Sequence, residues 1–248
     1  SGKYEIVAIS DLSDQAMKYY DEHFAEWDDY KAEHFNDALE MLEKSDLDVV
    51  SVGVWDTGHS AMTRAAASSG IKAVLCEKPM ALSVAECEQM IAASEASGKK
   101  LMIAYRCHFE PFNLRAMELM REGAVGKIKT IETAQTYRMG PTSVAENWRV
   151  VRALAGGGPL EDYGIYGLQS ALYLSGEMPV SVKAVTEQPA NDPRFAEIFS
   201  TVTTEMRFPS GAVANMVTSY DTTPGRNLAR VEGEGGVLMM EPATGYGG

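Results

Sequence analysis

The first half of the chain alternates short apolar runs with longer helix-like segments, and this alternation limits the folds that are open to it. The apolar runs lack the strict apolar–polar pattern of a half-exposed strand, so we expect both faces of each to be buried. Strands of this kind, each separated from the next by a helix, are typical of a parallel sheet covered by helices. The strands are predicted at residues 4–10, 48–54, 71–75 and 101–104, and the helices at residues 13–24, 38–44, 58–69, 83–97 and 112–121.

Residues typical of helix ends support these boundaries. Ser13 or Asp14 can cap the first helix through a side-chain oxygen. Gly98 follows the helix at 83–97, where a left-handed residue would end it. The segment 27–35 is charged and irregular, with at most one short strand at its end.

The pattern changes near Gly123. Residues 127–138 alternate as a strand with one exposed face does, and later strands are joined by tight turns, which favours an antiparallel sheet. We predict a domain boundary at residues 122–127, with a parallel-sheet domain over 1–122 and a second α/β domain with a mainly antiparallel open sheet over 123–248. In the second domain a helix is predicted at residues 160–174, and strands at 180–187, 199–208, 212–220, 229–232 and 237–240.

The charge balance excludes some partners. With 22 basic and 35 acidic residues the net charge is −13, which argues against a nucleic acid or an anionic membrane as partner. No apolar run approaches the length of a membrane span. Cys76, Cys87 and Cys107 are odd in number and lack metal-ligand spacing, so reduced thiols and a cytoplasmic location are favoured. A periplasmic location stays open, because the chain begins inside the fold and any export signal would precede it.

The first stretch that points to chemistry is Glu77-Lys78-Pro79. It follows a predicted strand and precedes a predicted helix, which places it on the carboxyl edge of the parallel sheet. Ligands of open α/β sheets bind at that edge. A lysine there can reach a cofactor or a substrate, although a surface lysine before a helix-starting proline is the more common case.

Three further side chains follow predicted strands. Asp11 ends the first strand, where a carboxylate can accept hydrogen bonds from a ribose, but a helix-capping role is equally ordinary. His59 and Arg106 follow the strands at 48–54 and 101–104. A single histidine near a helix start is more often structural, and Arg106 can be a solvated charge at a strand end.

The second informative stretch runs from Gly156 to Gly167. Three consecutive glycines allow a close approach of the backbone, and Asp162 and Tyr166 are four residues apart, so a helix would place them on one face. A phenol, with a reference pKa of about 10, needs a neighbouring cation to act as a base. Lys78 is the candidate cation if the second domain folds back over the first. The ordinary alternative is a helix with glycines for close packing.

These stretches together resemble the glucose–fructose oxidoreductases and the wider Gfo/Idh/MocA family of dehydrogenases. The likeness extends over almost the whole chain. The segments that carry it are Cys76-Glu77-Lys78-Pro79-Met80-Ala81, Tyr105-Arg106-Cys107-His108-Phe109, Asn147-Trp148-Arg149, Gly156 to Gly167, Asn191-Asp192-Pro193-Arg194-Phe195 and Glu241-Pro242-Ala243-Thr244-Gly245-Tyr246.

The resemblance implies a Rossmann domain followed by an α/β domain, and an enzyme that moves hydride between a sugar or sugar-like polyol and NAD, with NADP as an alternative. It implies that Tyr166 is the acid/base, that Lys78 favours its phenolate, and that Asp162 orients the sugar. The other positions assigned to the cofactor side are Asp11, Trp55, His59, Glu77, Arg106, Trp148 and Arg149, with Lys78 shared. A non-catalytic or regulatory dinucleotide-binding protein is the alternative, since a fold does not determine its function.

The chain departs from the family pattern in two places. Trp55-Asp56 stands where the family often has Pro-Asn before the loop histidine, and the glycine-rich dinucleotide loop does not occur within residues 1–248. We therefore expect a piece of a longer protein, lacking a central strand of the first sheet and a segment after Gly248. No metal site is expected.

The open sheet predicts self-association. One sheet face should be partly apolar through residues such as Val202, Met206, Val213 and Val217. With no helix to cover it, such a face is expected to pair with another copy in a dimer or a tetramer.

Overall fold

A computed structural model describes residues 4–26 and 30–245 of the chain. The beginning of the irregular segment, residues 27–29, and the last residue of the tail motif, Tyr246, lie outside the described residues. The structure divides into two compact units, Ser1–Ala104 and Tyr105–Gly248.

The first unit is a parallel α/β arrangement, as predicted. Its strands fall into two separate sheets, one of β1 and β2 and one of β3, β4 and β5, and every strand pair is parallel. The strands are β1 (Ala8–Ser10), β2 (Glu33–Phe35), β3 (Val49–Val52), β4 (Ala73–Cys76) and β5 (Lys100–Ile103). The helices are α1 (Asp14–Phe24), α2 (Ala38–Lys44), α3 (His59–Ala67) and α4 (Val84–Ser97).

The helix ends follow the capping residues of the sequence. The Ser13 hydroxyl accepts a hydrogen bond from the backbone N–H of Ala16, and the Ser83 hydroxyl accepts one from Glu86. Gly98 ends α4 in the left-handed conformation, with φ of 67°. Local capping chemistry therefore sets where these helices begin and end.

The first strand is shorter than predicted. Residues 4–7 are not in a strand, and Tyr4 is 82% exposed. The reason lies in strand pairing, because β1 has a neighbour on one side only and its ladder with β2 is three residues long.

The second unit is built on a six-stranded sheet in the order β11-β10-β6-β9-β8-β7. All neighbouring pairs are antiparallel except β6 and β9, which are parallel. The strands are β6 (Ile128–Arg138), β7 (Ser181–Glu187), β8 (Thr201–Arg207), β9 (Val213–Ser219), β10 (Asp221–Gly233) and β11 (Val237–Met240). The α-helices are α5 (Pro111–Arg121), α6 (Arg152–Ala155) and α7 (Ile165–Ser175). The predicted fold class, a Rossmann-type unit followed by a mainly antiparallel unit, is confirmed.

Strand β10 is much longer than the predicted strand at 229–232. The sequence does not predict its first half because that half contains Pro224 and Gly225, and both residue types are typical of turns. The ladder with β6 shifts register between Asp221 and Arg226, so the two residues lie in an irregular stretch of a continuous strand. A Cβ on Gly225 would lie 2.6 Å from the carbonyl oxygen of Thr136, so glycine is needed where the two backbones approach.

The prediction that Val202, Met206, Val213 and Val217 share one face is wrong. In the antiparallel register Val202 opposes Thr218 and Met206 opposes Ala214, and both are buried on the face that α7 covers. Val213 and Val217 oppose Arg207 and Thr203 on the other face and are half-buried. Side chains alternate between faces along each strand, so the register decides which valines lie together, and the sequence does not reveal that register.

The division between the units lies earlier than the predicted boundary at residues 122–127, because α5 belongs to the second unit. Its Ala116 is part of the second core, and Asn113 is fully buried. The Asn113 amide donates to the Ala243 carbonyl at 3.2 Å, and its side-chain oxygen accepts from the Tyr173 hydroxyl at 2.7 Å. A buried asparagine that is satisfied by two distant segments of the second unit holds the helix there.

Candidate active site

The carboxyl edge of the first unit carries the predicted Asp11, Trp55, Glu77 and Lys78. Each follows the end of a parallel strand, β1, β3 or β4. Trp55 is 50% exposed, Glu77 is exposed, and Asp11 and Lys78 are half-buried. All four therefore lie where ligands of a parallel sheet bind, and none is sealed in the core.

Whereas the helix cap itself is Ser13, Asp11 bonds to the turn that precedes α1. Its Oδ1 accepts a hydrogen bond from the backbone N–H of Ser13 at 2.8 Å, just before α1. Its own N–H donates to the Phe35 carbonyl at 3.1 Å, which extends the β1–β2 ladder by one bond. A carboxylate has room for several donors, so this bond to the turn is compatible with a ribose hydroxyl on the same group.

The loop after β3 places His59 in the interior. His59 is 1% exposed, its Nδ1 lies 2.6 Å from the Pro79 carbonyl oxygen, and its Nε2 lies 3.0 Å from the Val54 carbonyl oxygen. Both ring nitrogens thus face main-chain oxygens of the protein. The predicted contact of His59 with a cofactor remains a prediction, whereas its structural contacts join the loops that follow β3 and β4.

The Glu77-Lys78-Pro79 segment is held by its own backbone and its neighbours. The Glu77 N–H donates to the Val52 carbonyl at 2.9 Å, and the Lys78 N–H donates to Glu77 Oε2 at 3.2 Å. The Lys78–Pro79 peptide bond is cis. Pro79 is buried while Lys78 is half-buried, so the segment is anchored beside the lysine and its side chain stands at the sheet edge.

In the second unit the predicted helix at 160–174 has two parts. Leu160–Gly164 form a π-helical turn, which continues directly into α7. The wider turn changes the rotation between Asp162 and Tyr166, so their spacing alone does not describe how they face each other. π-turns occur frequently at functional sites, where they redirect single side chains.

Asp162 is oriented by a buried tyrosine. The Tyr220 hydroxyl donates to Asp162 Oδ2 at 2.7 Å, and Tyr220 is 0% exposed. Burial, together with the negative charge of Asp162, raises the pKa of Tyr220 well above its usual value. Tyr220 therefore stays protonated and remains a donor that fixes the carboxylate.

Tyr166 lies among other aromatic rings. Its ring centroid is 5.4 Å from that of Tyr105 and 6.1 Å from that of Tyr163. The Tyr105 hydroxyl donates to the Ile165 carbonyl at 2.9 Å, which ties Tyr105 to the first turn of α7. Tyr166 is half-buried, so its position is restrained by packing without being enclosed.

Sequence reasoning missed Tyr105, Tyr137 and Tyr220 as members of this site. Burial first, and then the charge of Asp162, raise the pKa of Tyr137 to about 12, and the positive charge of Arg149 acts in the opposite direction. Burial likewise holds the pKa of Tyr105 well above its usual value. These three tyrosines come from distant parts of the chain, and no motif connects them. Their rings continue the contacts of Tyr163 and Tyr166 on both sides.

The predicted cofactor-side residues of the second unit have individual partners. Arg106 pairs with Glu110 and also donates to the Gly245 carbonyl at 3.1 Å. The guanidinium of exposed Arg149 stacks over the ring of Trp148 at 4.5 Å. Arg149 is linked electrostatically to the tyrosines around Asp162, because its positive charge opposes the rise in the pKa of Tyr137 and Tyr220. Cofactor contacts of Arg106, Trp148 and Arg149 remain predictions.

Lys78 lies in the first unit, and Asp162 and Tyr166 lie in the second. Each unit thus presents its own part of the predicted site. The approach of the Tyr166 hydroxyl to within a few ångströms of the Lys78 amine remains a prediction.

Metal and membrane features are also defined for the described part of the chain. Within residues 4–26 and 30–245, no three His, Cys, Asp or Glu side chains converge as metal ligands would. Over the same residues no helix combines the length and the apolar character needed to cross a bilayer.

Comparison with known proteins identifies the family. The sequence profile of the oxidoreductase family with an NAD-binding Rossmann fold matches residues 1–105. The profile of the GFO/IDH/MocA C-terminal domain matches residues 113–239. The chain therefore belongs to the GFO/IDH/MocA family of oxidoreductases, as the resemblance in the sequence predicted.

Individual relatives act on sugars. The chain is 31% identical over 179 residues to D-xylose 1-dehydrogenase [NADP(+)] of Haloarcula marismortui, covering 69% of this chain and 48% of that protein. It is 26% identical over 245 residues to D-apiose dehydrogenase of Paraburkholderia graminis, covering 95% of this chain and 60% of that protein. The crystal structure of aldose-aldose oxidoreductase from Caulobacter crescentus, complexed with glycerol, superimposes with a TM-score of 0.87 at 39% identity. That match covers 98% of this chain and 70% of the other. The chain thus spans about half to three fifths of these two curated relatives.

The packing of the π-turn on the sheet leads to a prediction. A Cβ on Gly164 would lie 2.8 Å from Cγ2 of Thr218, whose hydroxyl is committed to the Gln135 and Pro159 carbonyls at 3.1 and 2.9 Å. Overpacking costs about 1–3 kcal/mol, which exceeds the gain of about 1 kcal/mol in helix propensity. Gly164→Ala should therefore lower the free energy of unfolding in urea. Gly140→Ala, with nothing within 4 Å of the new Cβ, is the control and should change it by less than about 0.5 kcal/mol. A Gly164→Ala protein as stable as the parent would contradict this packing.

Proposed function

We propose that this chain forms the core of an NAD(P)-dependent oxidoreductase that acts on a CH–OH group of a carbohydrate. The observation that carries the proposal is the pair of Asp162 and Tyr166 at the π-turn, with Asp162 held by the protonated Tyr220. Lys78 at the carboxyl edge of the first unit supplies the cation that this chemistry needs. Relatives named as D-xylose and D-apiose dehydrogenases support a sugar as the substrate.

The residues at the carboxyl edge of the first unit fit a dinucleotide. Asp11 offers a carboxylate beside the end of β1, and half-exposed Trp55 offers an aromatic face after β3. A bound nicotinamide would accept or supply the hydride. Asp11 would bind the adenosine ribose, and Trp55 and Glu77 would line the adjoining wall.

The chain's own residues would handle the proton. Tyr166 would take the proton from the substrate hydroxyl oxygen during oxidation and return it in the reverse direction. The Lys78 ammonium would stabilise the phenolate by its positive charge. Asp162, held in place by Tyr220, would accept hydrogen bonds from neighbouring sugar hydroxyls and so orient the reacting carbon.

Two substitutions test these roles with D-xylose as the probe. Tyr166→Phe keeps the ring and removes the proton carrier, so turnover should fall about 10²–10⁴-fold while the affinity for the dinucleotide hardly changes. Lys78→Ala should also reduce turnover far more than it reduces cofactor binding. Tyr173→Phe removes a phenol from the same helix, one that bonds to Asn113 at 2.7 Å, and should retain turnover.

The outcomes separate the alternatives. A parent protein that binds dinucleotide in a fluorescence titration but turns over no aldose would support the non-catalytic role. Normal turnover in Tyr166→Phe would remove Tyr166 from the mechanism, and His108, whose ring lies 5.3 Å from that of Tyr105, would become the next candidate.

Cofactor preference depends on Asp11. A carboxylate at this position repels a 2′-phosphate, so the parent should bind NADH more tightly than NADPH. Asp11→Asn retains an acceptor for Ser13 and loses the charge, so the NADPH-to-NADH affinity ratio should rise about tenfold, about 1.4 kcal/mol. Asp37→Asn, which alters a capping carboxylate at α2, serves as the control. Tighter binding of NADPH by the parent would refute the assignment of Asp11.

Self-association through the exposed sheet face belongs to the same proposal. Val213 and Val217 of β9 lie on that face, as does Val185 of the edge strand β7 on the other side of β8. Val185 is 57% exposed. Val185→Glu should dissociate the dimer or tetramer in light scattering. Val182→Glu is the control, because Val182 is 60% exposed on the same strand but on the opposite face. A monomeric parent at micromolar concentration would contradict the proposal.

A further inference from the structure

His59 connects the two loops that follow β3 and β4. It is the first residue of α3 and is 1% exposed. Its Nδ1 is 2.6 Å from the Pro79 carbonyl oxygen, and its Nε2 is 3.0 Å from the Val54 carbonyl oxygen. The ring thus lies between the backbone that follows Lys78 and the backbone that precedes Trp55.

The turn before α3 brings the ring to this place. Asp56–Gly58 form a single 3₁₀ turn in which the Gly58 N–H donates to the Trp55 carbonyl at 2.7 Å. A Cβ on Gly58 would lie 2.7 Å from Cγ2 of Val54, so the glycine allows the chain to fold tightly over Val54. His59 is therefore placed by local packing.

We propose that His59 is a positioning residue for Lys78, which it holds through the carbonyl of Pro79. This inference rests on the function proposed above, in which Lys78 acts on Tyr166. It differs from a cofactor contact, because both ring nitrogens are directed at main-chain oxygens of the first unit.

The hydrogen bonding of the segment explains why His59 matters. Glu77 and Lys78 are held through their own N–H groups, by the Val52 carbonyl and by the Glu77 carboxylate. Pro79 has no N–H to donate, and its carbonyl, which faces His59, is a hydrogen-bonding group on the far side of Lys78. A buried carbonyl that loses its donor carries a desolvation penalty, and the backbone shifts to avoid it.

The two ring nitrogens contribute differently. Both oxygens that face the ring are carbonyl acceptors. Nδ1 makes the shorter of the two contacts, to Pro79, and is therefore the nitrogen whose loss bears on Lys78. The amide nitrogen of asparagine can take the place of Nδ1, and that of the longer glutamine can take the place of Nε2.

This difference defines the experiment. In the full chain, with D-xylose as substrate, His59→Asn should keep turnover within about threefold of the parent, and His59→Gln and His59→Leu should lose about 10²-fold, the cost of an ångström-scale misplacement. If His59 acts only on Lys78, the dissociation constant for NADH should be unchanged in all three, whereas the cofactor contact predicted from the sequence would raise it. Ser68→Ala, at the other end of α3, is the control for general effects on the helix.

A readout that needs no turnover accompanies the kinetics. Backbone hydrogen exchange of the peptide containing Lys78 should be faster in His59→Gln than in His59→Asn, at equal melting temperature. Equal exchange and equal turnover in the Asn and Gln proteins would overturn the inference, as would an increased NADH dissociation constant with unchanged turnover. This comparison remains valid even if His59→Leu does not fold.

A double-substitution cycle separates this inference from the proposed function. If His59 acts through Lys78, adding His59→Gln to Lys78→Ala should cause little further loss of turnover. Full additivity of the two losses would overturn the positioning role while leaving the function intact. If Lys78→Ala alone turns over normally, Lys78 is removed from the mechanism, and the exchange measurement still decides whether His59 holds the segment. A parent protein that turns over no aldose would instead contradict the proposed function.

Discussion

The second unit depends on one steric constraint, the close approach of the segment 160–175 to the sheet beneath it. Cβ atoms on Gly164 and Gly167 would lie 2.8 Å from the side chains of Thr218 and Thr133. Two residues without side chains therefore let the helix rest directly on β6 and β9. This contact therefore sets the distance from the sheet at which the helical segment holds Asp162 and Tyr166.

Burial of the tyrosine side chains around this helix determines their protonation state. Tyr220 and Tyr105 are removed from water, so each remains protonated and serves as a hydrogen-bond donor, the first to the Asp162 carboxylate and the second to the Ile165 carbonyl. Asp162 and the Ile165 carbonyl next to Tyr166 are therefore held by two donors that do not titrate near neutral pH. Such fixed partners are what a site needs if its groups are to meet a substrate in one geometry.

In the first unit, backbone hydrogen bonds rather than buried tyrosines hold the predicted site residues in place. Its predicted site residues lie on loops after parallel strands, and main-chain hydrogen bonds fix these loops. The Glu77 N–H bonds to Val52 of the neighbouring strand, and the Pro79 carbonyl faces His59 of the following helix. The half-buried Lys78 is thus flanked by ordered peptide groups on both sides. The two units contribute different kinds of rigidity, one from packed aromatic rings and one from strand-edge hydrogen bonds.

The sequence by itself determined what depends on nearby residues. Ser13, Ser83 and Gly98 mark helix ends that the structure confirms, and the apolar runs locate β3, β4 and β5. The family resemblance, too, follows from several short motifs taken together, among them Glu77-Lys78-Pro79 and the stretch from Gly156 to Gly167. What only the tertiary structure decided depends on residues far apart in the chain. The register of β8 on β9 separated Val202 from Val213, a π-turn altered the relation of Asp162 to Tyr166, and Tyr105 and Tyr220 joined the site from distant strand ends. Capping and periodicity depend on residues a few positions apart and can therefore be predicted from the sequence. Register and burial arise only when distant segments pack together.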